Sequence, residues 1–128
     1  MKIKPINNSL ALWLSNFPWK KKNDHKYSRG KLIVIGGQIN MTGATILSAE
    51  SALRVGIGSV KIICSKKTLP IYSLRFPSAL KEVINNLSSL KKLIIKEKNS
   101  IFLIGPGLIA EDIVKNIPNT LRKLKKTN

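Results

Sequence analysis

The feature that most constrains this chain is a strand–helix–strand pattern punctuated by glycine near its middle. Lys31–Ile35 is a continuous apolar run with β-branched residues, which predicts a strand buried on both faces. Residues 43–55 are rich in alanine and serine and predict a helix that packs closely on a sheet, with Thr42 as its N-cap. Gly56 fits the position after the helix, where a positive φ is usual. Ser59–Cys64 is the second apolar run, and a connection of this length predicts a parallel, right-handed β–α–β unit.

Six further segments carry the periodicity or the flanking signals of secondary structure. We predict a short amphipathic helix over residues 9–17 that Pro18 ends, a helix over 69–74, a strand within 77–83, a helix over 88–97 with Leu90, Leu93 and Ile94 on one side, a third clearly buried strand over 100–104, and a final helix over 110–125 that Pro118 interrupts. The alternation of strands and helices predicts an α/β fold with a mostly parallel sheet and helices on both faces. A length of 128 residues fits a single domain.

The charge of the chain raises the question of a nucleic-acid partner. Its 23 lysines and arginines against 6 acidic residues give a net charge of +17. The lysines are scattered, no stacking aromatic side chains are interleaved with them, and the Lys, Ile and Asn bias is typical of an A/T-rich genome. We therefore expect no specific nucleic-acid ligand. A basic nucleic-acid-associated protein remains an alternative, which predicts tight binding with a steep salt dependence.

The sequence also limits the expected cellular location of the protein. No apolar run approaches the roughly 20 residues of a membrane span, so we expect no membrane partner. The apolar patch at residues 10–14 is flanked by asparagine and serine and lacks a small-residue cleavage site, which argues against a signal peptide. Cys64 has no cysteine to pair with and is predicted to be an inert buried thiol. The expected location is the cytoplasm.

Two glycine turns are the candidate ligand-binding features. Gly36 and Gly37 end the first strand shortly before Gly43, and Gly105-Pro106-Gly107 follows the strand predicted at residues 100–104. The spacing matches neither the phosphate loop G-x-x-x-x-G-K nor the dinucleotide fingerprint G-x-G-x-x-G. A turn that opens a helix still presents free backbone N–H groups at the positive end of the helix dipole. Because the carboxyl ends of parallel strands line one crevice, the two turns predict one extended phosphate-bearing ligand. The alternative is that the glycines serve the backbone alone.

The motifs around these turns resemble one family. They are HKYSRG at residues 25–30, LIVIGG at 32–37, MTGA at 41–44, ALRVGIGSV at 52–60 and IGPGL at 104–108. Their order and spacing resemble the ADP-dependent NAD(P)H-hydrate dehydratases of the ribokinase-like superfamily, over residues 19–115. The resemblance implies part of a ribokinase-like three-layer fold.

The resemblance also implies a chemistry. Members of this family repair NADH or NADPH that has been hydrated on the nicotinamide ring. They use ADP or ATP, with Mg²⁺ expected, to phosphorylate the added hydroxyl, and then eliminate phosphate.

Site residues follow from the same motifs, position by position. The resemblance assigns Thr42, Gly43 and Ala44 to one side of the hydrated dinucleotide, and Gly105 and Gly107 to the other. Possible accessory residues are His25, Lys26, Gly36 and Gly37. Ile109 stands where many relatives have a further glycine.

The family's catalytic machinery has no counterpart in this sequence. Relatives continue into a segment with a histidine contact to the substrate, a nucleotide-binding region and a GTGD-like motif whose aspartate is the base. The two aspartates here, Asp24 and Asp112, do not lie in a glycine-rich turn at a helix start. We therefore assign no catalytic residue and no metal ligand, and expect the nucleotide-binding segment to be absent.

The expectation is thus a single truncated domain, with an N-terminal helix over residues 1–18. It would be inactive, or would depend on a separate C-terminal half or on a homo-oligomer. The alternative is a non-catalytic dinucleotide- or phosphate-binding module. A chain of this kind should expose an edge strand and apolar faces, which predicts marginal stability and self-association.

Overall fold

The computed structural model describes residues 6–108, 117–119 and 122, and its centre is a four-stranded parallel sheet. The strands are β1 (Lys31–Ile35), β2 (Ser59–Cys64), β3 (Leu80–Val83) and β4 (Ile101–Ile104), in the spatial order β3-β2-β1-β4. All three pairings are parallel, which confirms the predicted β–α–β unit and the α/β fold class. The chain steps outward from β1 to β3 and then returns to the other side of β1, so β1 and β4 flank a topological switch point.

The core consists of two apolar layers, one on each face of the sheet. Leu32 and Val34 of β1 belong to the layer under the helices α1 (Thr42–Val55) and α2 (Leu69–Arg75). Ile33 and Ile35 belong to the opposite layer, under α3 (Leu87–Lys96). Because successive residues of a strand point to opposite faces, a strand segment covered on both sides must be apolar, as residues 32–35 of β1 are.

Helix α1 packs on β1 and β2 through a narrow face. Thr45 and Ala49 are its fully buried residues, and their small size lets the helix backbone lie close to the sheet. Gly56 ends the helix with φ 107°, as the sequence predicts. The prediction of Thr42 as N-cap is wrong, because Thr42 is the first helical residue and Met41 holds the cap position without a side-chain hydrogen bond to the helix.

The second half of the sheet follows the sequence closely. Helix α2 and strand β3 occupy the predicted segments. Helix α3 begins after Asn86, whose side-chain oxygen accepts a hydrogen bond of 2.8 Å from the backbone N–H of Ser89. Its predicted inner face is confirmed, since Leu90, Leu93 and Ile94 are buried.

Two predicted elements differ in the structure. In place of one amphipathic helix, the N-terminal segment forms the 3₁₀ turns Leu10–Leu12 and Leu14–Asn16 without a buried residue. A short helix is marginal unless its apolar face packs against something, and here that face stays exposed. Strand β4 is predicted to be buried, but its own residues alternate between exposed and half-buried. The reason is that β4 lies at the edge of the described sheet.

The predicted final helix over 110–125 lies largely outside the described residues. Residues 117–119 and 122 are helical, and Ile117 is buried in the layer beneath α3. Within the part of the chain that the structure describes, no helix is long and apolar enough to cross a membrane.

An ion network lies inside the α3 layer, toward the amino edge of the sheet. Lys61 of β2 is only 8% exposed, and its ammonium group lies 2.7 Å from the Glu82 carboxylate and 2.9 Å from that of Glu97. Lys31 donates to both carboxylate oxygens of Glu97, at 2.8 and 2.9 Å. Burial alone would lower the pKa of Lys61, but the hydrogen bonds to the two glutamates raise it. The lysine that interrupts an otherwise apolar strand is therefore a paired, structural charge.

Candidate functional site

The two glycine turns meet at the switch point of the sheet. The Gly105 N–H donates to the carbonyl of Ile35 over 3.2 Å, and the Gln38 N–H donates to the carbonyl of Gly107 over the same distance. These bonds extend the pairing of β1 and β4 beyond their carboxyl ends. The structure thus brings together the two turns that the sequence places seventy residues apart.

Three of these glycines are required by close packing, against backbone at Gly36 and Gly107 and against a buried side chain at Gly37. A Cβ on Gly36 would overlap the carbonyl oxygen of Pro106, and one on Gly37 would overlap the Tyr72 hydroxyl. A Cβ on Gly107 would likewise overlap the carbonyl of Met41, at the start of α1. Gly37 and Gly107 also have φ of 74° and 70°, which other residues rarely adopt. For these three positions the backbone explanation is sufficient.

Gly43 and Gly105 are different, because they face open space, and only Gly105 of these two has a positive φ, of 133°. A Cβ at either position would meet no atom within 4 Å, and both glycines are exposed. Gly43 lies in the first turn of α1, between the half-buried Thr42 and the exposed Ala44. The contact between Gly107 and Met41 places this helix start beside the second glycine turn. Of the predicted residues, Gly43 and Gly105 are thus open, whereas Gly107 is packed against the helix start.

The start of α1 suits an anion. Its first turn carries no acidic side chain, and within the described residues the cap position makes no side-chain hydrogen bond to its N–H groups. The free N–H groups and the dipole of a 14-residue helix favour a negative charge there. A phosphate or pyrophosphate can approach closely because Gly43 has no side chain.

Two residues that the sequence analysis missed hold the turns in place. The Thr45 hydroxyl, buried in α1, donates to the carbonyl of Pro106 over 3.0 Å. The Tyr72 hydroxyl, buried in α2, donates to the carbonyl of Gly37 over 3.3 Å. Burial raises the pKa of Tyr72, so the phenol keeps its proton and remains a donor. Nothing in the sequence marks these two side chains, because their partners are distant backbone carbonyls.

A cleft of about 370 Å³ opens on the α3 side of the first turn, beyond the carboxyl ends of β1 and β2. Its floor is apolar, formed by Ile35, Ile63, Ile84, Leu90 and Leu108. Its rim is polar and includes Gly36, Gly37, Gln38, Ser65 and Lys67. An apolar floor with a few polar groups at the rim is the usual composition of a site for a ring-bearing ligand.

His25 and Lys26 are not part of this surface. They lie in the exposed loop before β1, at the amino edge of the sheet, where the carbonyl of Lys26 is packed against Gly58. The His25 Nδ1 accepts hydrogen bonds from the backbone N–H groups of Tyr27 and Ser28, at 3.2 and 3.1 Å. The structure therefore separates these two predicted accessory residues from the glycine turns by the length of a strand.

The described carboxylates are also engaged elsewhere. Glu82 and Glu97 belong to the ion network, Glu50 pairs with Arg54 on the surface of α1, and Asp24 accepts a backbone hydrogen bond from Lys21. The residues described here include no group of three histidine, cysteine, aspartate or glutamate side chains that could hold a metal ion. The surface at the turns can bind and orient a ligand, but its described side chains offer no base.

A parallel sheet with glycine turns on both sides of its switch point is an α/β architecture, and proteins of this class bind their ligands at that edge. The model of one family, described as NAD(P)H-hydrate dehydratase, matches residues 32–127. The chain belongs to the NAD(P)H-hydrate dehydratase family.

Individual relatives agree with this assignment. The chain is 34% identical over 115 residues to a bifunctional NAD(P)H-hydrate repair enzyme from Dictyoglomus turgidum, covering 82% of this chain and 22% of the relative. It is 34% identical over 93 residues to an ADP-dependent (S)-NAD(P)H-hydrate dehydratase from Staphylococcus aureus, covering 73% of this chain and 33% of the relative. The chain thus spans between about a fifth and a third of the length of these two proteins.

Solved structures show the same fold. An ADP/ATP-dependent NAD(P)H-hydrate dehydratase from Bacillus subtilis superposes with a TM-score of 0.69 at 24% identity, covering 81% of this chain and 37% of that one. A ribokinase-like superfamily protein from Enterococcus faecalis gives a TM-score of 0.66 at 24% identity, covering 80% and 36%. The sheet and its helices are therefore part of a ribokinase-like fold, as the motifs predict.

Proposed function

We propose that this chain forms the substrate-binding half of a NAD(P)H-hydrate dehydratase site and holds hydrated NADH or NADPH across the two glycine turns. The observation that carries the proposal is the contact of Gly107 in the second turn with Met41 at the start of α1, beside which Gly43 and Gly105 are both open. The pyrophosphate of the dinucleotide would lie at the free N–H groups of α1. A ring would enter the apolar cleft beside Gly37.

The chemistry requires groups beyond those described. In the proposed reaction, ADP or ATP transfers a phosphoryl group to the hydroxyl of the hydrated nicotinamide, and phosphate then leaves to restore the reduced ring. Such a transfer needs a positioned base and a cradle for the phosphoryl group, with Mg²⁺ neutralising charge. The contribution of this chain is to bind and orient the hydrated dinucleotide. A separate C-terminal half, or another copy of the chain, would supply the base and the nucleotide site.

The edge strand supports a partner of that kind. β4 ends the described sheet, and Ile101 and Leu103 remain 62% and 37% exposed on its α1 face. An exposed apolar edge of this type offers both unpaired backbone groups and a surface for packing. We place the protein in the cytoplasm, where a reduced thiol such as the free, buried Cys64 is stable.

Binding is the first test of the proposal. Isothermal titration calorimetry with hydrated NADH should show saturable binding to the full chain. Gly43→Val should weaken it at least about tenfold, because the new side chain occupies the space at the helix start, where a Cβ meets no protein atom within 4 Å. Ser51→Val, on the exposed face of the same helix, is the control and should bind like the wild type. Equal affinity in the Gly43 variant would contradict the proposed site.

Turnover separates the enzyme from the binding module. Recovery of reduced-nicotinamide absorbance from hydrated NADH is followed with ADP or ATP and Mg²⁺ present. Binding without recovery, together with recovery once a C-terminal half of a relative is added, would support the partner-dependent enzyme. Binding that never leads to recovery favours a non-catalytic dinucleotide-binding module.

A further inference from the structure

The cleft beside the glycine turns carries a single charged side chain among its described lining residues, and that residue is Lys67. The lysine lies in the loop that follows β2, between Ser65 and the start of α2. Its neighbour Lys66 is also exposed but does not line the cleft. Lys66 is therefore a matched control for the charge of Lys67.

The loop that carries Lys67 is fixed by its own hydrogen bonds. The Ser65 N–H donates to the Thr68 hydroxyl over 3.1 Å, and the Thr68 N–H donates back to the Ser65 hydroxyl over 3.3 Å. Thr68 is buried, and α2 follows it at once. Through Tyr72, α2 is in turn bonded to the carbonyl of Gly37. The base of the Lys67 side chain is therefore held at a set position relative to the glycine turn.

The equivalent position has a known role in dinucleotide-binding Rossmann folds, whose topology at the first two strands this chain shares without their glycine fingerprint. When a pyrophosphate lies at the first helix, the end of the second strand lies near the ribose of the attached nucleoside. An acidic residue there binds the 2′-hydroxyl, whereas a basic residue accommodates a 2′-phosphate. After β2 this chain reads Ser65-Lys66-Lys67-Thr68, with no acidic residue. The site has the charge that suits a phosphorylated ribose.

We infer that Lys67 contacts the 2′-phosphate of hydrated NADPH and makes the site prefer it over hydrated NADH. The inference rests on the proposed function, since it requires the dinucleotide to lie across the glycine turns. It adds to that function a specificity-determining residue and a choice between the two reduced cofactors.

The experiment compares four proteins by calorimetry at fixed, near-physiological salt. Hydrated NADPH and hydrated NADH are titrated into the wild type, Lys67→Gln, Lys67→Arg and Lys66→Gln. The ratio of the two dissociation constants is the readout, because it cancels any loss of overall affinity. The wild type should favour hydrated NADPH by about tenfold, the contribution of a charge-assisted hydrogen bond at an open site. Lys67→Gln should bring the ratio close to one, whereas Lys67→Arg and Lys66→Gln should retain the preference.

The possible outcomes distinguish failure of the role inferred for Lys67 from failure of the proposed function. A wild type that binds both hydrates with equal affinity overturns the role of Lys67 and leaves the proposed function standing. A preference that falls equally in Lys67→Gln and Lys66→Gln shows attraction to the net positive charge and also overturns it. A folded wild type that binds neither hydrate overturns both proposals.

Discussion

The glycines at the two turns are not all required for the same physical reason. Gly37 has a positive φ and lies against the Tyr72 hydroxyl, whereas Gly43 has open space where a side chain would be. One glycine therefore belongs to the architecture of the site, and the other belongs to its accessible surface. Substitutions at the two positions should separate stability from ligand binding.

Gly37→Ala should destabilise the protein by about 2 kcal/mol, because the new Cβ strains the backbone and displaces Tyr72. Gly43→Ala is the matched control and should leave stability unchanged or slightly raised, since alanine favours a helix. Urea unfolding followed by circular dichroism measures both. Equal stability of the Gly37 variant and the wild type would show that the turn relaxes easily.

Glu97 is the residue on which the ion network depends. Burial by itself would raise the pKa of its carboxyl group, but hydrogen bonds from Lys31 and Lys61 outweigh it and lower the pKa to about 2. The carboxyl is thus more acidic in the folded state than in the unfolded state, whose ordinary value is 4.5. Its stabilisation is fully present above pH 4.5 and is lost as the pH falls toward 2.

Glu97→Gln should lower the free energy of unfolding at pH 7 by an amount on the order of 2 kcal/mol, because it leaves Lys61 without a full counter-charge. The variant should also lose less stability than the wild type between pH 4.5 and pH 2. Unfolding by urea at a series of pH values tests both statements. Glu50→Gln, which removes only the exposed pair with Arg54, should follow the wild-type pH profile. Parallel profiles for Glu97→Gln and the wild type would contradict the assignment.

Among the helices and strands, α3 shows most plainly how the local sequence determines where a helix begins. Asn86 caps its start through the bond to the Ser89 N–H, and its apolar side chains recur at helical spacing to cover one face of the sheet. Among the described residues, helix α1 has no such side-chain cap. The same kind of helix end thus carries a stabilising cap in one element and is the proposed anion site in the other.

Asn86→Ala should reduce stability by about 1 kcal/mol, since it leaves an N–H at the start of α3 without a partner. Ser88→Ala, an exposed position in the first turn of the same helix, should have a much smaller effect. Differential scanning calorimetry of the two variants makes the comparison. A Ser88 variant as destabilised as the Asn86 variant would show that the capping bond is unimportant.

At the scale of the whole molecule, exposed apolar surface and net charge have opposite effects on self-association. The edge strand β4 exposes Ile101 and Leu103, which favours pairing with another chain. A net charge of +17 opposes contact between two copies. Salt screens the repulsion and strengthens burial of apolar surface, so association should increase with ionic strength.

Sedimentation of the wild type at about 50 mM and 500 mM salt should show more self-association at the higher salt, where the Debye length is shorter. Leu103→Lys should suppress that association by placing a charge on the edge strand. Leu74→Lys adds the same charge at an 86% exposed leucine of α2, away from the edge, and should associate like the wild type. Equal suppression by both variants would show that net charge, and not the edge strand, is responsible.

Much of the sheet follows from local pattern. The mostly apolar character of β1 and β2 requires cover on both faces, and the buried face of α3, formed by Leu90, Leu93 and Ile94, requires a surface to pack on. The N-terminal segment shows the limit of such reasoning, because an amphipathic pattern forms a helix only when a surface meets it. β4 shows the same limit, since its apolar run cannot reveal whether a neighbour lies on its outer side.

The sequence by itself determined the order of the elements, the glycine turns and the family motifs, because these depend on spacing along the chain. Only the tertiary structure decided that Gly36, Gly37 and Gly107 are packed while Gly43 and Gly105 are open. It also decided that Thr45 and Tyr72 hold the turns, and that His25 lies at the far edge of the sheet. The physical reason is that close approach and hydrogen bonding depend on distance in space, and residues that meet at the switch point are far apart along the chain.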